Sequence, residues 1–295
     1  VKVTVLLEEL LEAGHPAEYD AWIIEIQPGQ AAPAQPEAPQ AGGDASWANV
    51  TPARFANPAP AQEGRQEREV LGVTIAGTGV SLTALDACER FVRLTLSNRL
   101  DIQERMRRQK VTLVIIPRNR KMTEVTEFAG LANRRTFDNR PWSGVRGSGG
   151  RSTPDGRWGI AVPEENLVDV GIDAAGKNPD SYGAGYSVGL HELSHTIQSK
   201  GLSRDERRQI TALYRARKEA GGPWTETYGA SNEEEYFAQS TNCFFSANVG
   251  VGANGPDWDT TNDPQMYAFL VRIYGRPPRP AAAMAGTATP AASTS

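Results

Sequence analysis

At 295 residues, the chain can bury one sizeable core and leave further segments over. Its 31 Lys and Arg against 35 Asp and Glu give a net charge of −4, so nothing in the balance points to a nucleic-acid or anionic-membrane partner. Two cysteines, Cys88 and Cys243, exclude a disulfide scaffold and a Cys-x-x-Cys zinc site, and no apolar run is long enough to span a membrane.

Residues 1–27 combine a strand-like run, Val1 to Leu7, with a second apolar run from Ala21 to Ile26, and read as an N-terminal β-rich segment. The first run is too short, and too soon followed by acids, to be a signal h-region, so the chain reads as a mature or excised fragment. His15, beside Pro16, reads as a surface histidine in a turn. From 28 to 68 the composition shifts to Pro, Ala, Gln and Gly, which bury too little apolar surface to offset their ordering entropy, so a linker or irregular wrap is expected. Asn49-Val50-Thr51 within it fits a glycosylation sequon.

Residues 69–275 carry the periodic patterns of an ordered domain. Val70 to Ala76 reads as a strand turning at Gly77 to Gly79. Ser81 then opens a helix with Leu82, Leu85, Cys88, Phe91, Val92 and Leu96 at helical spacing. Val111 to Ile116, stopped by Pro117, is a continuous apolar run that predicts a central strand covered on both faces. The basic clusters on either side, Arg105 to Lys110 and Arg118 to Lys121, read as solvated ends of that strand. Residues 118–157 read as loop, and the glycine-dense stretch Trp142 to Gly150 as a mobile loop near a cleft. Trp158 to Val162 predicts a short strand and a candidate edge for pairing an extended peptide. The adjacent carboxylates Glu164 and Glu165 suit either a cation or a solvated turn.

The most informative stretch is His191-Glu192-Leu193-Ser194-His195, in a segment that reads as a helix from about Tyr186 to Lys200 and stops at Gly201. Positions four apart share a helical face, so His191 and His195 can offer two imidazoles to one metal ion. Glu192 lies beside that face, where its carboxylate can act as a base on water rather than bind the metal. Only three histidines exist in the chain, and two are in this pentapeptide.

Further on, Ser203 and Glu206 form a capping box for a helix carrying Ile210, Leu213 and Tyr214 and ending near Gly221. Ser231 to Glu234 reads as a second capping box, opening a helix through Phe245. Asp263 and Pro264 start a last amphipathic helix with Met266, Phe269, Leu270 and Ile273. Residues 276–295 read as a disordered tail.

Catalytic zinc commonly takes three protein ligands and a water. With only His15 left as a histidine, the third ligand is expected to be a carboxylate or, less favourably, Cys243. Glu233, Glu234 and Glu235 open a suitable helix, and spacing alone does not choose among them. Glu235 is preferred because it shares a face with Ala238 and Asn242, which suit a pocket wall; Asn242 is a candidate for hydrogen bonding around the ligands.

The pentapeptide together with Tyr228-Gly-Ala-Ser-Asn-Glu-Glu-Glu-Tyr-Phe-Ala238 resembles the catalytic half of the anthrax lethal factor-type metallopeptidases, a gluzincin family. The resemblance is strong over 186–246. It implies zinc ligands at His191, His195 and Glu235, a general base at Glu192 and a catalytic tyrosine at Tyr228. Ser194 stands where that motif has glycine, and Gln239 where it has glutamate. The Glu164 to Leu167 stretch is similar to secreted bacterial members of the superfamily, which implies a secreted or extracellular setting. The resulting expectation is an α+β, zincin-like domain with a small mixed sheet and an active-site helix. It would be monomeric, zinc-dependent and directed at peptide bonds of peptide or protein substrates. The competing expectation is a zinc-binding but catalytically silent scaffold, or a cell-surface module.

Overall fold

Five strands form one mixed sheet in the order β1-β2-β3-β5-β4: β1 (Arg65–Val70), β2 (Val73–Thr78), β3 (Val111–Ile116), β4 (Ser148–Ser152) and β5 (Trp158–Pro163). The three inner strands run parallel, and each edge strand is antiparallel to its neighbour. The computed structural model describes residues 63–136, 139–168, 186–248 and 255–276. The expectations for 1–62, including His15 and Asn49, and for the tail beyond residue 276 lie outside the described residues.

β3 is the central strand its composition predicts, with all six residues buried. Val111, Leu113 and Ile115 enter the larger core, while Val114 and Ile116 enter a smaller one on the opposite face. Period-2 alternation is therefore present but invisible in the sequence, because both faces are apolar. The larger core is closed by helices α1 (Leu82–Leu96), α2 (Leu100–Arg108), α4 (Val188–Thr196), α5 (Arg204–Glu219), α6 (Glu233–Phe244) and α8 (Pro264–Tyr274). The smaller core lies under 3₁₀ stretches at Met122–Glu124 and Thr126–Leu131, through Met122, Val125, Phe128 and Leu131.

Several local signals act as written in the sequence. Ser81 accepts from the Ala84 N–H, Ser203 and Glu206 complete a reciprocal capping box, and Asp263 accepts from Met266 N–H ahead of Pro264. The helix expected to open at Ser231 is capped instead by Asn232, whose side chain accepts from the Glu235 N–H at 2.8 Å. Ser231 Oγ turns back to the Tyr228 carbonyl at 2.5 Å and closes the preceding 3₁₀ turn, Thr227–Ala230. Both cysteines are buried free thiols, and burial pushes each thiol up from its usual range.

Five expectations are corrected. Order reaches back to Arg65, because β1 hairpins onto β2 through Leu71-Gly72, both at positive φ as a two-residue hairpin turn requires. The cluster Arg105 to Arg108 ends α2 rather than the strand; Arg105 there donates to the Gly201 carbonyl and pairs with Asp101. The glycine-dense stretch contains edge strand β4. Consequently Trp158 to Val162 is no edge, since β5 is paired on both sides. Glu164 and Glu165, on the short helix α3 (Glu164–Leu167), form neither a cation site nor a solvated turn. Both are buried: Glu164 accepts from the Ser81 and Arg118 N–H groups, and Glu165 takes a two-pronged ion pair from Arg146 at 2.7 and 2.6 Å.

Candidate metal centre

The helix α4 that carries the histidines is fixed at its entry from two directions. Ser187 caps it by accepting from the Leu190 N–H. Asn166 on α3 accepts from the Val188 N–H at 2.8 Å and donates to the Tyr186 carbonyl at 2.7 Å, so one side chain satisfies an orphan helix donor and orients the chain entering it. From the other side Asn242 on α6 donates to the Ser187 carbonyl at 3.1 Å, and the Ser187 N–H bonds the Ala247 carbonyl. Asn242 thus steadies the helix start and does not bond a metal ligand. Inside α4, Gly189 is required because a Cβ there would lie 2.6 Å from the Phe91 ring.

With α4 and α6 locked together, three ligand atoms converge. His191 Nε2 and His195 Nε2 are 3.1 Å apart, and Glu235 Oε2 lies 3.1 Å from the first and 3.5 Å from the second. Two nitrogens at about 2.0–2.1 Å from a tetrahedral zinc would stand about 3.3 Å apart, close to what is found. Glu235 Oε2 is buried and, despite those distances, makes no hydrogen bond of acceptable geometry. A buried carboxylate oxygen this close to two imidazole nitrogens, with no hydrogen bond of its own, has the surroundings a shared cation would satisfy. These three side chains could hold a metal ion. Glu233, Glu234 and Cys243, the alternatives for the third position, stay out of the group; Cys243 Sγ instead faces the Gly255 carbonyl at 3.8 Å.

Electrostatics agree with the geometry. Burial pushes the Glu235 carboxyl upward, but the close imidazoles of His191 and His195 outweigh it and hold the pKa at about 2. Burial lowers His195, whereas contact with Glu235 and the charge of Glu192 more than compensate, so its pKa is raised. Glu192 is not one of the three grouped ligands and is only partly exposed. Burial raises its pKa, opposed by His191, His195 and Arg151.

A ligand imidazole usually has its second nitrogen engaged, which fixes tautomer and ring orientation. For His191 that partner is Tyr186: its hydroxyl lies 2.9 Å from His191 Nδ1 and accepts from Gln239 Nε2 at 3.1 Å. Gln239 is one of the positions that depart from the lethal factor-type motif, and here it steadies the tyrosine that steadies the ligand. Tyr228 sits on the 3₁₀ turn ahead of α6 with its residue surface 42% exposed.

No family model matches the chain, and no curated protein matches it. Among solved structures, the chain is similar to a Pro-Pro endopeptidase from Paenibacillus alvei at 16% identity and a TM-score of 0.45, covering 68% of this chain and 97% of that one. A likeness at that level carries no argument about this chain's activity. The lethal factor-type resemblance therefore rests on its motif residues alone.

The floor of the site is one that sequence reasoning missed. Edge strand β4 lies against α4, and its glycines, with Gly147 just ahead of it, leave room for that approach. A Cβ on Gly147 would meet Glu192 Oε1 at 2.7 Å and Val188 at 2.6 Å. One on Gly149 would meet His195 at 2.7–3.0 Å, and one on Gly150 the Thr196 hydroxyl at 2.6 Å. The Thr196 hydroxyl then bonds the Gly149 carbonyl at 2.8 Å, pinning strand to helix. Glycine density was the available signal; it marks close backbone approach here, not mobility.

Proposed function

We propose that the chain is a zinc-dependent endopeptidase of the gluzincin kind, built on a zincin-like domain, with His191, His195 and Glu235 as its zinc ligands. The observation that carries this reading is the convergence of two imidazole nitrogens and an unsatisfied carboxylate oxygen within 3.1–3.5 Å of one another. A structural zinc site is closed by four protein ligands, whereas three ligands beside an unattached carboxylate suit catalysis. Bound there, zinc would supply Lewis acidity toward a carbonyl and lower the pKa of water toward neutrality.

The chain's own residues supply the rest. Glu192, next to a ligand but outside the group, takes a proton from the attacking water at its carboxylate and returns it to the leaving amine. Tyr228, exposed on the turn before the ligand helix, is the donor assigned to the developing oxyanion, worth about 3–4 kcal/mol where such a donor acts. An extended substrate would pair with the outer edge of β4, which has no neighbouring strand among the described residues.

The test is to measure zinc content and then cleavage of a peptide library by the wild type and Glu192→Gln. Chelator-sensitive cleavage that falls about 10²- to 10⁴-fold in the variant, with zinc retained, is expected. Equal cleavage by both proteins, or cleavage indifferent to chelation, would reject the assignment and leave the catalytically silent scaffold.

A further inference from the structure

Arg146 and Arg151 stand five residues apart and are used in opposite ways. Arg146 spends its donors on Glu165 and on the Ile116 and Pro117 carbonyls. Arg151, on β4, has no carboxylate within 4.0 Å among the described residues. Among the described residues its guanidinium makes two 3.4 Å approaches to Ser148 Oγ, long for a hydrogen bond. The guanidinium is partly buried and stacked over the Trp142 ring, 4.0 Å from its centroid. A guanidinium over an aromatic face satisfies its charge through the ring while its N–H donors stay available to an acceptor at its edge.

Its place in the fold matters as much as its chemistry. Arg151 is two residues along β4 from Gly149, which lies against the His195 ring, and it shares the strand whose outer edge is unpaired among the described residues. Its charge reaches Glu192. A second cation, the exposed Arg134, is close enough to act on it. Burial and then Arg134 lower the Arg151 pKa from its usual value, and the Glu192 charge only partly opposes them. A partly desolvated cation in that position is relieved by an arriving anion, and a planar carboxylate matches the guanidinium fork.

We propose that Arg151, held on Trp142 beside Arg134, is a carboxylate-binding subsite that selects peptides with a negative group close to the bond presented to His191, His195 and Glu235. The carboxylate would come from an acidic side chain or from a free peptide C-terminus. This inference rests on the peptidase reading for its use, but not for its detection.

The experiment measures binding and cleavage separately. Fluorescent decapeptide pools, each with one Asp or Asn and with a free or amidated C-terminus, are titrated into the full-length, zinc-loaded Glu192→Gln chain. The same pools are incubated with the wild type. Pools with a carboxylate are expected to bind about 10- to 100-fold tighter than their neutral counterparts. In Arg151→Gln that ratio should fall toward one while the neutral pools bind as before. The Asp arm and the free C-terminus arm distinguish the two sources. Arg151→Lys keeps charge and stem but loses the fork; it should show an intermediate ratio, and it serves as the variant if Arg151→Gln does not fold. Equal binding of charged and neutral pools, no binding of any pool, or a preference that survives in folded Arg151→Gln overturns the subsite. Carboxylate-selective binding without wild-type cleavage would sink the peptidase reading and leave the subsite standing; cleavage without selectivity would do the reverse.

Discussion

A carboxyl group that loses its water without gaining a donor keeps its proton, and Asp259 is so placed. It is 1% exposed on α7 (Pro256–Asn262), and neither carboxylate oxygen has a hydrogen-bond partner of acceptable geometry among the described residues. Burial raises its pKa from 3.8 to about 8, with Asp263 adding to the rise and the Cys243 thiol and Arg217 opposing it. Between about pH 4 and pH 8 the native chain then binds a proton that the unfolded chain has released. Stability from this group is fullest below about pH 4, falls as pH rises through that window, and is level above it. Asp259→Asn removes the slope. Urea unfolding of both chains from pH 4 to pH 9 should show the variant gaining on the wild type by a few kcal/mol, roughly, across that range. Glu235 and Asp101, whose pKa values lie at about 2, lose their contributions as pH falls below about 5, equally in both chains, and so cancel in the comparison. A constant difference between the two chains would show that Asp259 ionises freely in the fold.

Between elements, the closest fit is that of β4 on α4, and Gly149 tests it most directly. A methyl there would stand 2.7 Å from His195 Cβ and 2.9 Å from its Cδ2, so strand or ring must move. Gly149→Ala should cost about 1–3 kcal/mol in urea unfolding and weaken zinc binding in a chelator competition. Gly144→Ala, where nothing lies within 4 Å of the added carbon, should do neither. Matching midpoints for the two variants would mean that β4 does not bear on the ligand helix. The same pair of elements shows what a sequence discloses. His191, Glu192 and His195 were legible because one helical turn brings them together, and β3 because its apolar run is unbroken. Helix starts were legible at Ser81, Ser203 and Asp263, where cap and donor are three residues apart. β1 was not, since Arg-Gln-Glu-Arg-Glu carries no apolar face and takes its strand form from the hairpin with β2. α2 was masked by its charges, with only Ile102 and Met106 as buried apolar anchors. Glu235 was chosen by its helix face and by a motif resemblance. Tyr186, Arg151 and the β4 glycines owe their roles to contacts between distant segments, for which no local pattern exists.

At the scale of the molecule, the candidate metal ion would join two helices whose buried faces are unusually polar. On α6, Gln239, Ser240, Thr241 and Asn242 are all buried, and on α4 the buried set includes His191, Ser194 and Thr196. Such an interface gains less from apolar burial than the sheet side of the same core, so a bound cation has more to contribute there. A metal that binds only the folded chain stabilises it by about 4 kcal/mol when free metal exceeds its dissociation constant a thousandfold. For an ordered domain of this size that corresponds to about 8–16 °C in Tm. Zinc-loaded and chelator-treated protein should differ by this much in a thermal scan. The gap should shrink in Glu235→Gln, because the amide oxygen is a poorer ligand and the carboxylate's charge is lost. It should persist in Glu192→Gln, since Glu192 stands outside the ligand group. A chelator that leaves Tm unchanged in the wild type would show that the convergence of His191, His195 and Glu235 is held by the two helices alone, with no ion contributing to the fold.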